Sequence, residues 1–124
     1  MNYNSIFYNK INNYFQLYSI YRTIIVVYNN NYANIIYNKL ILNDHNVIII
    51  NNINTIYKIN FDKLEERVVI INYYLFYYLI FHLFNYNLLH NFNFIIFYNI
   101  DYKIKSLLLN FYNFIYKFNN TIFL

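Results

Sequence analysis

Residues 18–28 form a run rich in β-branched and aromatic side chains that stops at Asn29-Asn30-Asn31. A second such run, residues 33–42, closes at Asn43-Asp44-His45-Asn46. Two β-rich runs split by a turn-forming segment predict an antiparallel hairpin. Residues 47–50 and 52–61 continue the sheet. In the latter, Ile53, Thr55, Tyr57, Ile59 and Phe61 alternate with Asn52, Asn54, Lys58 and Asn60, and Ile56 alone breaks the period of two.

At Asp62 the period changes. Asp62 is placed to cap a helix, and Glu65 and Glu66 to complement the positive end of its dipole. That helix is expected over residues 63–84, apolar on most faces and therefore mostly buried. Residues 91–99 alternate around Phe92, Phe94, Ile96 and Tyr98 and suit a central strand. Asp101 then caps a second helix, residues 103–118, with Leu107, Leu108, Phe111, Phe114 and Ile115 at helical spacing. Asn119-Asn120 ends it, and residues 121–124 suit a last short strand. A short helix is expected over residues 5–17, an N-terminal extension. The architecture expected of residues 18–124 is a single α/β or α+β domain: an antiparallel β-hairpin and strand followed by helix, strand, helix and strand.

Composition changes how these signals weigh. The chain has no Gly, Pro, Cys or Trp, and Asn, Ile, Tyr, Phe and Lys dominate it. Codons for the missing residues are mostly G/C-rich, and those for the abundant ones are written almost wholly in A and T. Soluble domains punctuate their loops with Gly and Pro, so nucleotide bias explains the pattern better than folding does. The expectation is a strongly A/T-biased genome, a mitochondrial one such as that of a ciliate. Asn then takes over turn positions, because it tolerates left-handed backbone better than most residues. The segment from Met1 to Phe7 has neither an Arg-rich amphipathic stretch nor a signal-peptide core, as expected of an organelle-encoded chain.

Residues 68–100 carry no formal charge over 33 positions, long enough to suggest a membrane span. The run is diluted by Asn85, Asn87, His90, Asn91 and Asn93, and its hydropathy falls short of a typical span. A core helix in a folded domain is the favoured reading. The alternative is a small non-catalytic subunit of an inner-membrane respiratory complex or ATP synthase, with a membrane helix near residues 68–84.

Little in the chain carries chemistry. Without Cys there are no disulfides, zinc-thiolate sites or thiol nucleophiles. Without Gly, phosphate-cradling loops of the dinucleotide or P-loop type are excluded. His45, His82 and His90 lack the spacing and acidic partners of metal ligands. Of the five acids, Asp62, Glu65, Glu66 and Asp101 sit at helix starts and Asp44 in a turn. Ser5, Ser19 and Ser106 have no triad context. The expectation is a protein that is no enzyme and uses no metal or cofactor.

The net charge of +4 favours a polyanionic neighbour without demanding one. Arg22, Lys39, Lys103, Lys105 and Lys117 are the candidate RNA-backbone contacts; Lys103 and Lys105 stand near the N-terminal amides of the last helix, which suit phosphate.

Ile20-Tyr21-Arg22-Thr23-Ile24-Ile25-Val26-Val27 opens the sheet, residues 29–34 make the turn, and Tyr37 follows on the next element. Later, residues 94–98 lead through Asn99-Ile100-Asp101-Tyr102-Lys103 to the helix containing Ser106. This order resembles the platform protein of the small ribosomal subunit, number eleven of the universal naming. That family has a Phe-Asn-Asn-Thr-Ile opening, a Gly-Asn turn, a Trp on the second strand, and a Gly-rich, Arg-containing loop before its last helix. Its Gly-Pro-Gly loop and basic Pro-rich tail have no counterpart here, and Phe61-Asp62 replaces its Pro-initiated helix start. The resemblance implies a structural protein of the mitochondrial ribosome, in the matrix, whose partners are ribosomal RNA and other mitoribosomal proteins. With 26 Asn against 7 Lys, it would be a peripheral or protein-contacted member. On any of these readings the chain is expected to be stable only within a large assembly.

Overall fold

A computed structural model describes residues 22–42, 46–61, 67–86, 94–98, 100–115 and 121–123, together with Leu88 and Phe92. Among these described residues, five strands and four α-helices alternate. They are β1 (Thr23–Val27), α1 (Asn30–Leu42), β2 (Asn46–Ile50), α2 (Ile53–Lys58), β3 (Arg67–Asn72), α3 (Phe76–Asn85), β4 (Phe94–Phe97), α4 (Tyr102–Ile115) and β5 (Thr121–Phe123). A 3₁₀ turn, Tyr73–Leu75, joins β3 to α3. The strands form one sheet in the order β2-β3-β1-β4-β5, and every pairing is parallel. This is an α/β fold.

The sequence reason lies in the central strands. All five residues of β1, Thr-Ile-Ile-Val-Val, are buried, and so is Val68-Val69-Ile70-Ile71 of β3. A strand that is apolar on both faces needs a cover on each side, and parallel sheets supply it through their crossover helices. Register aligns the two: Ile24 pairs with Val69, Val26 with Ile71 and Val27 with Asn72.

Two cores result. On one face, Ala33, Ile36 and Leu40 of α1 pack on Ile25, Val27, Val68, Ile70 and Ile96. On the other, Ile56 of α2, Phe76, Leu79, Ile80 and Leu83 of α3 and Leu108 of α4 cover Ile24, Val26, Val69, Ile71, Ile95 and Phe97. Each fully buried aliphatic side chain contributes roughly 1.5–3 kcal/mol. The division of helices follows from crossover handedness. The chain moves toward the β2 edge only once, from β1, and that connection carries α1. The next three connections run toward β5, so with the same hand their helices lie on the opposite face.

Several expectations are corrected. No antiparallel hairpin forms. Residues 33–42 lie in α1, with Asn29 acting as its cap rather than as a hairpin turn: Asn29 Oδ1 accepts from Tyr32 N at 3.0 Å. Residues 53–58, expected in a strand, are the short helix α2, capped by Asn52 through a 3.0 Å bond from Thr55 N. Ile56, which broke the alternation, is fully buried there. Of the helix expected over residues 63–84, residues 67–84 are instead strand β3, the 3₁₀ turn and α3, since four consecutive β-branched residues favour a strand. The same division leaves no membrane helix at residues 68–84. Among the described residues, no helix is long and apolar enough to cross a membrane. The last helix, the strand before it and the strand after it form as expected, in α4, β4 and β5. The expected helix at residues 5–17, and the placements of Asp44, His45, Asp62, Glu65, Glu66, His90 and Lys117, lie outside the described residues.

Candidate functional site

Open parallel sheets place their ligand crevices at the carboxyl ends of the strands, where neighbouring connections diverge. Here that boundary lies between β1 and β4, which pair directly: the chain leaves β1 toward β2 and leaves β4 toward β5. A cleft of about 410 Å³ opens at this point, lined by Tyr28 and Tyr32 after β1 and by Ile100 and Asp101 after β4.

Local chemistry fixes each wall. The β1/β4 pairing extends beyond the strands, with Tyr98 N donating to Val26 O at 2.9 Å. Tyr98 is buried, and its ring meets that of Tyr32 edge-on at 5.7 Å. Tyr28 is half exposed and is stacked on Tyr73, with centroids 5.5 Å apart and planes 16° from parallel. Asp101 caps α4: its Oδ1 accepts from Lys103 N at 2.8 Å, as the sequence predicts. The N-termini of α1 and α4 both reach this end of the sheet, each with one first-turn amide held by its own cap.

Beside the cleft, at the end of β3, Asn72 is buried. Its Nδ2 donates to Asn30 Oδ1 and, at 3.4 Å, to the Tyr74 hydroxyl. Its Oδ1 has no partner among the described residues. This amide ties the turn after β3 to the start of α1.

The basic residues do not gather. Arg22 precedes β1 and Lys39 sits in the last turn of α1, so both lie at the amino-terminal end of the strands. Lys103 and Lys105 occupy the first turns of α4, at the opposite end. Of the four described candidates, only Lys103 and Lys105 lie at the cleft's end of the sheet, on the helix that Asp101 caps, and Lys103 is exposed.

A second cavity, about 240 Å³, lies between α2 and α3 and is lined by Tyr57, Phe61, His82, Tyr86 and Leu88 among others. The His82 ring touches those of Tyr57, Phe61 and Tyr86 at centroid distances of 5.4, 5.8 and 4.9 Å. Burial holds its pKa below the ordinary histidine value. Among the described residues no three metal-ligating side chains come together.

Sequence reasoning identified Asp101 as a cap but missed the cleft that it borders. The signal was present twice: a wholly apolar strand ending in an Asn- or Asp-led helix start, at residues 27–30 and again at residues 97–102. No known protein family, characterised protein or solved structure matches the chain.

Proposed function

We propose that the chain is a structural component of a mitochondrial small ribosomal subunit, bound to ribosomal RNA and neighbouring proteins without catalysis. The observation that carries this reading is the outward surface of α3 and its flanks. Tyr74, Tyr78, Phe81, Phe84 and Tyr86 are all exposed there, and no charged residue lies between Val68 and Ile100. An aromatic surface of this kind, left in water, invites aggregation, so it belongs against another macromolecule. Lipid is a poor cover. The ten-residue helix α3 is about 15 Å long, half a hydrocarbon core, and its other face is packed on the sheet. Tyr and Phe rings with Asn between them suit protein grooves and unstacked bases alike. The basic excess and the exposed Lys103 add electrostatic support for RNA.

Fractionation tests the reading. Organelle lysate would be run on a sucrose gradient, with parallel carbonate extraction of the membranes. Sedimentation with the small ribosomal subunit, and release from it by high salt, are expected. Co-migration with a respiratory complex, or retention in carbonate-washed membranes, would overturn the proposal.

A further inference from the structure

The cleft between β1 and β4 is suited to a more specific guest than backbone phosphate. One amide at each helix N-terminus that reaches it is already held by a cap: Asn29 Oδ1 accepts from Tyr32 N, and Asp101 Oδ1 accepts from Lys103 N. An incoming phosphate would share these ends with the capping oxygens and would be repelled by the Asp101 carboxylate. A neutral, planar group carrying N–H donors meets neither obstacle. The carboxylate keeps free lone pairs after its capping bond. Tyr28, held by its stack on Tyr73, supplies an aromatic surface fixed before any guest arrives. At about 410 Å³ the space exceeds what one base requires, which leaves room for its ribose. Lys103 lies two residues beyond Asp101 and is exposed, within the reach expected for a phosphate on the same strand.

We propose that this cleft takes a nucleobase turned out of single-stranded RNA, with its ring against Tyr28 and its exocyclic amine donating to the Asp101 carboxylate. Adenine and cytosine offer such an amine, and uracil does not. The proposal rests on the ribosomal reading only for the source of the RNA; the recognition itself follows from the cleft.

The test is binding of fluorescent hexaribonucleotides of A, C or U to the full chain, by anisotropy at about 0.1 M salt, where phosphate contacts persist. The A and C hexamers should bind more tightly than U. Asp101→Asn keeps a capping oxygen but loses the carboxylate, and should remove about tenfold of the preference for A and C over U. Tyr28→Leu keeps apolar bulk but loses the ring face, and should weaken all three roughly tenfold. Lys103→Gln should weaken all three equally and flatten the salt dependence. Circular dichroism of each variant separates loss of binding from loss of fold.

An unchanged order of hexamers in Asp101→Asn, or unchanged affinity in folded Tyr28→Leu, would overturn the proposal. If that happened while the chain still sedimented with the small subunit, the cleft assignment alone would fall. Dependence on Tyr28 and Asp101 in a chain absent from ribosomal fractions would sink the ribosomal reading and leave the cleft assignment standing.

Discussion

Thr23 opens β1 with its side chain fully buried, and its hydroxyl has no hydrogen-bond partner among the described residues. Desolvating a hydroxyl without a partner costs about 1–3 kcal/mol. Valine has nearly the same shape and no polar atom. Thr23→Val should therefore stabilise the chain by about 1 kcal/mol, read as a higher urea midpoint at unchanged slope; a lower midpoint would mean that the hydroxyl is satisfied. His82 has the opposite character, because its environment matters only when it titrates. Burial among Tyr57, Phe61 and Tyr86 lowers its folded pKa below 6.5, so the unfolded chain takes up the proton first. Above pH 6.5 both states are neutral and nothing is lost. As pH falls through the window just under 6.5, the unfolded state gains a proton that the folded state resists, and stability drops. His82→Phe should flatten the fall in urea midpoint between about pH 7.5 and pH 5.5, that window being set by the ordinary histidine pKa. The other titrating groups are common to both proteins, so an equal fall in both would show that His82 takes no part.

At the scale of elements, legibility depended on whether a segment's neighbours were needed to define it. The last helix was readable because Leu107, Leu108, Phe111, Phe114 and Ile115 recur in the sequence at helical spacing behind the Asp101 cap. Strand β4 was also readable, from Phe94 to Phe97. Helix α1 was not. Its thirteen residues are mostly Asn, Ile and Tyr, which have only moderate helix propensity, and packing of Ala33, Ile36 and Leu40 on the sheet overrides it. Helix α2 misled more directly. Its residues alternate apolar with polar like a strand, yet the Asn52 cap, the burial of Ile56 and the partial burial of Ile53 fit a turn and a half of helix. The parallel sheet was legible in hindsight from the unbroken apolarity of residues 24–27, the mark of a strand covered on both faces. Asn29-Asn30-Asn31 obscured it, because in a chain without Gly the same residue type serves as both hairpin turn and helix cap. The cleft was illegible for a related reason. It depends on β4 lying beside β1, and no local pattern encodes that adjacency.

At the scale of the whole molecule, the single reversal in the direction of the connections determines what each face can do. Among the described helices, it leaves α1 alone on one side of the sheet and groups α2, α3 and α4 on the other, so the aromatic surface of α3 lies across the sheet from α1. That surface and the β1/β4 cleft are separate features, and charge placed on the first should leave the fold and the second intact. Tyr78 and Phe84 are exposed on α3, and surface substitutions away from buried networks shift stability by about 0.5 kcal/mol or less. The double variant Tyr78→Lys with Phe84→Lys should therefore keep its urea midpoint within about 1 kcal/mol of wild type. Breaking up the apolar patch should also raise the concentration at which the free chain precipitates. If this surface is the one covered in the assembly, the same two lysines should exclude the chain from the small-subunit peak of a sucrose gradient in a competition with wild type. Equal incorporation of a soluble, folded double variant would place the assembly contact elsewhere and remove the main support for the ribosomal reading.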